Sequence, residues 1–162
     1  LQCLVPSLPQ PLPELHDDRV KAAIAINPLD SAVFGPTGMG NIDVPIMVVS
    51  GSSDTVTPAL PEQIRPFTWL ESPERYLMLM DGGTHFSTIH NLQTGGFTLP
   101  EEVIGPNPEL AQDYVKAMGV AFLKTYLAED TTYQQYLEPA YTASLSQTEL
   151  PVVLTRDVTL ED

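Results

Sequence analysis

Cysteine, basic side chains and long apolar runs are all scarce in this chain of 162 residues. The single cysteine, Cys3, cannot form an intramolecular disulfide or a thiolate cluster, which excludes disulfide-rich secreted domains and zinc fingers. Seven Lys and Arg stand against 21 Asp and Glu, and a net charge of −14 repels phosphate backbones. We therefore expect no nucleic-acid partner.

The apolar runs are too short to span a membrane, and the N-terminus has no signal-like pattern. The longest runs, Ile46–Val49 and Tyr76–Met80, are strand-sized, whereas a span needs about 20 apolar residues. No Met and no basic region opens the chain, and a Pro-rich stretch comes next. These features predict a soluble chain that is a processed end or a piece of a longer protein. The compartment, cytoplasmic or secreted/periplasmic, stays open.

Three short segments are almost entirely apolar: Val20–Ile26, Ile46–Val49 and Tyr76–Met80. A continuous apolar run, unlike an alternating one, is typical of a strand that is buried on both faces of a parallel sheet. Parallel strands need crossovers of a dozen or more residues, and the spacers between these runs are long enough. The pattern predicts an α/β fold with about three parallel strands covered by helices.

The crossovers themselves carry weak helix signals. Pro28–Val44 is rich in Gly and Pro and is predicted to be more loop than helix. Pro58–Pro73 is predicted to hold a short, irregular helix, because Pro61 suits a first helical turn and Pro66 kinks or ends the helix. Ser87–Pro108 is predicted to be a long loop.

The strongest helix signal lies in the C-terminal part of the chain. Glu109–Leu127 has apolar residues at three- and four-residue spacing, with Asn107 as N-cap and Pro108 at the first helical position. This helix should cover the sheet. A short helical turn is expected at Tyr133–Leu137, and Val152–Leu154 is compatible with either an edge strand or an arm.

Two polar residues come after the second and third apolar runs, and they are the candidate site residues. Asp54 comes shortly after the second run and His85 after the third. Since the carboxyl ends of parallel strands meet at one edge of the sheet, this carboxylate and imidazole are expected to touch. An Asp that accepts the Nδ1 proton of a His prepares Nε2 to deprotonate a hydroxyl nucleophile. Gly82 and Gly83 allow the tight backbone path that the second loop needs.

Each residue alone has a simpler explanation. Asp54 by itself is more often an Asx-turn or helix-cap residue, and a lone His85 is more often a surface or loop histidine. Their joint placement, acid first and histidine second, favours the chemical interpretation. His90 lies at the wrong spacing from His85 for a metal site, and the sequence has no phosphate-binding glycine loop. No cofactor or metal is predicted.

Three stretches carry a family resemblance: Val44–Pro58, Arg75–Phe86 and Asp130–Leu137. They resemble the C-terminal half of an α/β-hydrolase. The chain is most similar to the group that contains dienelactone hydrolase-like proteins, platelet-activating-factor acetylhydrolase-like proteins and bacterial cutinases. The similarity runs from Asp18 to Leu137, and its specificity comes from the pairing of the strand that precedes Asp54 with the strand that precedes Gly-Gly-Thr-His-Phe.

The resemblance implies a partial α/β-hydrolase fold whose three strands are the sixth to eighth of the family sheet. Asp54 would be the triad acid and His85 the triad base of a serine esterase, acting on a small-molecule or lipid-like ester. The corresponding domain division is a Pro-rich extended segment at residues 1–17, the C-terminal part of a hydrolase domain at 18–147, and a tail or edge strand at 148–162.

The nucleophile is missing from this sequence. No Gly-x-Ser-x-Gly motif occurs in it, and in the family that motif and the oxyanion donors come from the upstream half of the protein. We therefore expect the C-terminal portion of a serine ester hydrolase, inactive as this chain alone.

Two alternatives stay open. One is a non-catalytic hydrolase-like binding or assembly module, in which the open edge of the first strand pairs with another chain, including a second copy. The other is an unrelated α/β domain in which Asp54 and His85 lie too far apart to form a hydrogen bond.

Overall fold

A computed structural model describes residues 16–89 and 100–160, which form a single mixed sheet covered by helices. The four strands of this sheet are β1 (Ala23–Ile26), β2 (Ile46–Gly51), β3 (Arg75–Met80) and β4 (Val152–Thr155). They lie side by side in chain order. β1, β2 and β3 are mutually parallel, and β4 is antiparallel to β3. The predicted α/β class is confirmed, and the tail segment is an edge strand rather than an arm.

The two central strands behave as their continuous apolar runs predicted. All six residues of β2 are buried, and β3 is buried except at its first and fifth residues. Met47 and Val49 of β2 pack on one side of the sheet, while Ile46 and Val48 pack on the other. Each face therefore has its own apolar core, which gives three layers: helix, sheet, helix.

β1 differs from its prediction as a strand buried on both faces. It spans four residues instead of the seven of Val20–Ile26, its residues are half-buried, and Ile26 is 43% exposed. The physical reason is its position at the edge, because within the described part of the chain only β2 pairs with it. β1 thus has the apolar composition of an inner strand but lies at the edge of the sheet.

In the described part of the chain, five α-helices and two other helical segments accompany the sheet. The α-helices are α1 (Ser31–Gly40), α2 (Arg65–Phe67), α3 (Glu101–Ile104), α4 (Pro108–Tyr126) and α5 (Pro139–Leu145). A π-helical turn, Leu60–Ile64, leads directly into α2, and a 3₁₀ helix, Thr131–Leu137, precedes α5. The prediction of a short irregular helix before β3 and of a helical turn before residue 138 is confirmed. The sequence analysis missed α3 and α5.

The long helix α4 confirms its predicted cap and its predicted packing. Asn107 accepts a hydrogen bond from the backbone N–H of Leu110 through its side-chain oxygen, as an N-cap residue does. Tyr114, Met118 and Phe122 are buried against the side chains of β2 and β3. This burial fixes α4 across one face of the sheet.

The first crossover is more helical than predicted. Ser31–Gly40 forms α1, although Gly35, at φ +61° and ψ −178°, interrupts the helical backbone just before Pro36. The prediction that this crossover is more loop than helix was therefore wrong, because Gly35 and Pro36 split the segment into two helical turns instead of preventing helix formation. Met39 from the second turn is buried in the core on the face of β2 opposite α4.

The structure leaves some predictions untested. The Pro-rich stretch from Pro6 to Pro13, Cys3 and His90 all lie outside the described residues. Within the described residues, no helix combines the length and apolar character that crossing a bilayer requires.

Candidate active site

The loops after β2 and β3 are held together at the carboxyl edge of the sheet. The backbone N–H of Ser52 donates to the carbonyl of Met80 at 3.0 Å, and the N–H of Ser53 donates to the carbonyl of Gly83 at 2.8 Å. A Cβ on Gly51 would lie 2.4 Å from the Gly83 oxygen, so only glycine permits this crossing. Gly82 has φ +82°, a conformation that glycine adopts at little cost. A Cβ on Gly83 would lie 3.2 Å from Gly51 Cα, so both glycines of the second loop contribute to the close backbone path.

Asp54 and His85 meet across these two loops. His85 Nδ1 lies 2.8 Å from Asp54 Oδ2, with the Asp54 side chain fully buried and the His85 side chain 26% exposed. Since an ionised carboxylate only accepts hydrogen bonds, this contact places the proton on Nδ1. The predicted proximity is present, and the parallel pairing of β2 with β3 produces it.

The simpler explanation of Asp54, an Asx-turn residue, is confirmed. Its other oxygen, Oδ1, accepts hydrogen bonds from the backbone N–H groups of Val56 and Thr57, both at 2.8 Å. This is an Asx-type turn, and it leaves Oδ2 for His85. The turn fixes the carboxylate and thereby aims it at the imidazole, so the two interpretations are complementary.

Thr57 is a site residue that the sequence analysis did not identify. Its Oγ1 is 3.0 Å from Asp54 Oδ2, 3.1 Å from His85 Nδ1 and 3.0 Å from the carbonyl oxygen of Asn27. One hydroxyl has a single proton, so it donates either to the carboxylate or to the Asn27 carbonyl. Its sequence signal is only a position three residues after an Asp, which is typical of any Asx turn.

Gln63 forms a hydrogen bond with the Asp54 turn, and the sequence analysis did not identify this residue either. The side chain is fully buried; its Nε2 donates to the carbonyls of Pro28 at 2.6 Å and Thr57 at 2.9 Å. Its Oε1 accepts from the hydroxyl of Ser50 at 3.1 Å. One amide thus joins the ends of β1 and β2 to the turn, and nothing in the local sequence distinguishes it from a surface glutamine.

A buried carboxyl lies beside this network. Asp30 is 6% exposed, and its burial, with a smaller contribution from nearby Glu62, raises the pKa of this carboxyl to about 6. Glu62 accepts hydrogen bonds from the backbone N–H and the hydroxyl of Ser31. Because Asp30 is buried, ionisation of its carboxyl is costly.

The far side of the His85 loop is fastened to the segment before α4. Thr84 Oγ1 lies 2.7 Å from the carbonyl oxygen of Val103 and 3.0 Å from that of Ile104, while Ser87 Oγ donates to Ile104 at 2.9 Å. The backbone N–H of Thr84 in turn donates to Ser87 Oγ. The loop that carries His85 is therefore braced on both flanks.

In residues 16–89 and 100–160, no serine hydroxyl forms a hydrogen bond with His85, and no metal-binding cluster is found. Ser50, Ser52 and Ser87 use their hydroxyls in hydrogen bonds to Gln63, Asp81 and Ile104, and no described serine bonds to His85. No group of three His, Cys, Asp or Glu side chains in this part of the chain could hold a metal ion.

No protein-family model matches this chain, and no curated protein does. The interpretation of the site therefore depends on the sequence motifs and on the geometry of Asp54 and His85.

Proposed function

We propose that this chain is the C-terminal, acid–base portion of a serine hydrolase that acts on carboxylic esters. The observation that carries the proposal is the 2.8 Å contact between His85 Nδ1 and the buried carboxylate of Asp54. A carboxylate that orients an imidazole in this way can support nucleophilic acyl transfer, and the carboxyl edge of a parallel sheet is where α/β proteins place their active sites. The order of acid and histidine along the chain agrees with the α/β-hydrolase arrangement.

In this mechanism Asp54 holds the tautomer of His85 that has its proton on Nδ1. His85 Nε2 then takes the proton of a serine hydroxyl as the oxygen forms a bond to the ester carbonyl carbon. The same proton passes to the departing alcohol when the ester C–O bond breaks. Water attacks the acyl-enzyme with His85 again acting as base, which releases the acid and returns the proton to serine. Chain upstream of this sequence supplies the serine and the oxyanion donors, and the substrate is a small-molecule or lipid-like ester.

The 162-residue chain by itself should not perform this reaction. Loss of the nucleophile from a triad costs about 10⁶-fold in kcat. Purified chain mixed with a p-nitrophenyl ester should give the same rate as its His85→Ala variant. Hydrolysis that disappears in His85→Ala would mean that a nucleophile lies within this chain, and the assignment of an incomplete triad would be wrong.

The decisive experiment uses the full product of the encoding reading frame. A fluorophosphonate probe should label one serine within a Gly-x-Ser-x-Gly motif upstream of the present sequence. His85→Ala should slow labelling by several orders of magnitude, whereas the exposed His16→Ala should label at the wild-type rate. A full product that contains no such motif and labels no serine would contradict the proposal.

A second candidate, a binding or assembly module, is favoured by the exposed edge of β1. Ile26, the last residue of β1, is 43% exposed, and within the described residues no strand pairs with this edge. Open apolar edges invite pairing with another chain. A full product that lacks the serine motif but assembles through β1 would favour this function over hydrolysis.

A further inference from the structure

Asn27 has an unusual backbone conformation at the edge of the sheet where Asp54 and His85 lie. It directly follows β1, has φ +46° and is 5% exposed. Non-glycine residues seldom adopt positive φ, and Asn is among the few that tolerate it. The turn after β1 therefore has a sequence requirement of its own, and burial of a polar side chain there calls for partners.

Its polar groups reach three separate elements. The side-chain Nδ2 donates to the carbonyl of His85 at 3.1 Å, with the Thr84 carbonyl at 3.5 Å. The backbone N–H donates to Val49 of β2, and the backbone carbonyl lies 3.0 Å from Thr57 Oγ1. Asn27 thus contacts β2, the Asp54 turn and the His85 loop.

The orientation of the amide is determined by these carbonyls. If the amide were flipped, its oxygen would face the His85 carbonyl oxygen, and two acceptors would meet without a proton. In the observed orientation Oδ1 is buried and has no hydrogen-bond partner among the described residues. The hydrogen bonds that Nδ2 donates therefore fix the Asn27 side chain. The shorter of them goes to the backbone carbonyl of His85, the candidate base.

We propose that Asn27 is a positioning residue that sets the distance between the His85 ring and Asp54. The His85 loop contacts Gly51 on its β2 side and is fastened by Thr84 and Ser87 on its far side. Asn27, at the end of β1, holds the loop from a third direction through its hydrogen bond to the His85 carbonyl. The effect of Asn27 on the position of the imidazole is inferred from these contacts alone. Its effect on the rate of turnover rests on the proposed function.

The test begins with the 162-residue chain labelled with ¹⁵N at histidine and asparagine and with ¹³C at the histidine carbonyl. In the wild type, the Nδ1 proton of His85 should give a downfield NMR signal that exchanges slowly with water, and the Asn27 amide protons should be protected. Asn27→Gly keeps the positive φ without strain but removes the donor, and Asn27→Asp keeps the shape but presents a carboxylate to the carbonyl. In both variants the His85 Nδ1 proton should exchange with water about tenfold faster, because the free energy of one hydrogen bond corresponds to a factor of about ten in an equilibrium constant. The exposed Asn41→Gly is the matched control and should exchange at the wild-type rate.

An unchanged His85 signal in a folded Asn27→Gly variant would overturn the inference. If the variants do not fold, the wild-type chain decides: Asn27 amide protons that exchange as fast as those of Asn41 would also overturn it. Protection of the Asn27 amide protons, with a coupling from Nδ2 to the His85 carbonyl carbon, would support it.

The full gene product separates this inference from the proposed function. In an active full-length esterase, Asn27→Gly should lower kcat about tenfold and leave KM unchanged, because the base is displaced but the substrate pocket is not. A full product without esterase activity, in which the His85 signal still depends on Asn27, would refute the function and support the inference. An active product in which Asn27→Gly has wild-type kcat and an unchanged His85 signal would refute the inference and retain the function.

Discussion

Asp54 uses its two carboxylate oxygens for different tasks. Oδ1 accepts two backbone N–H groups of its own turn, and Oδ2 faces His85 and Thr57. The local turn is a property that the sequence Asp-Thr-Val-Thr predicts. The distant contact needs the β3 loop to arrive within hydrogen-bonding distance. A residue that is common in turns thus also contacts an imidazole 31 positions away, and the proposed function depends on that contact.

The hydroxyl of Thr57 should stabilise the site as a whole. Thr57→Val has the same shape but removes the one hydroxyl proton that lies within reach of both the Asn27 carbonyl and Asp54 Oδ2, and Thr57 is only 6% exposed. We expect a loss of about 1–3 kcal/mol in the free energy of unfolding, measured by urea denaturation. The exposed Thr55→Val is the control and should lose less than about 0.5 kcal/mol. Equal values for the two variants would show that the hydroxyl has no structural role.

The buried Asp30 should make the stability of the fold depend on pH. Its folded-state pKa of about 6 lies above the ordinary value of 3.8, because burial opposes ionisation. Between these two values the native state keeps a proton that the unfolded chain loses, so the free energy of unfolding falls as pH rises. The loss at pH 7 is at most about 3 kcal/mol.

Asp30→Asn should abolish that part of the pH dependence. We expect the variant to be more stable than the wild type at pH 7 and no more stable at about pH 3.5, in urea denaturation curves taken at both values. Asp43→Asn, at an exposed position before β2, is the matched control. A stability difference between Asp30→Asn and wild type that is the same at both pH values would contradict the assignment.

At the scale of elements, the site depends on one close crossing of two loops. Gly51 ends β2, and the backbone of Gly83 and Thr84 passes directly over it. Buried strands bring the loops near each other, but only the absence of a Cβ lets them touch. A glycine after a strand is ordinary in sequence terms, so its necessity here is visible only in the structure.

Gly51→Ala should displace the His85 loop. The new methyl group would lie 2.4 Å from the Gly83 oxygen, and a rigid backbone must move to relieve the overlap. We expect a loss of about 1–3 kcal/mol in unfolding free energy and altered NMR shifts for the His85 ring. Gly40→Ala is the control, because its methyl group would meet the Trp69 oxygen at an ordinary 3.5 Å. Wild-type His85 shifts in Gly51→Ala would contradict this account.

The elements differ in how well the sequence predicted them. β2, β3 and α4 are confirmed, since each has a strong apolar pattern that matches its burial. The direction of β4 had no such signal, because an apolar triplet fits either orientation. β1 had the pattern of a buried strand, yet its burial depends on whether another strand lies beside it, which is not a local property.

At the scale of the whole molecule, β1 and β4 are the two outer strands of the sheet that the described residues form, β1 is apolar throughout, and the chain has a net charge of −14. Ala23 and Asn27 direct their backbone N–H groups toward β2, so those of Ile24 and Ile26 point away from it. The edge favours pairing with another strand, whereas the net charge opposes contact between two copies. Salt should therefore promote self-association of the isolated chain.

Ile26→Glu should weaken that association. In sedimentation velocity at about 0.5 M salt, we expect the wild-type chain to dimerise as concentration rises, because screening shortens the range of repulsion. The variant places a charge on the edge and should remain monomeric at the same concentrations. Val33→Glu adds the same charge on α1, at a residue 39% exposed, and should dimerise as the wild type does. A wild-type chain that stays monomeric would show that this edge does not join two copies.

The sequence by itself determined the α/β class, the two central strands, the capped helix and the positions of the candidate acid and base. These features arise from apolar spacing and turn chemistry, which act between residues close along the chain. Only the tertiary structure decided that Asn27, Thr57 and Gln63 surround the pair and that β1 lies exposed. Hydrogen bonds between separate loops, and the burial of an edge strand, depend on which elements become neighbours in space.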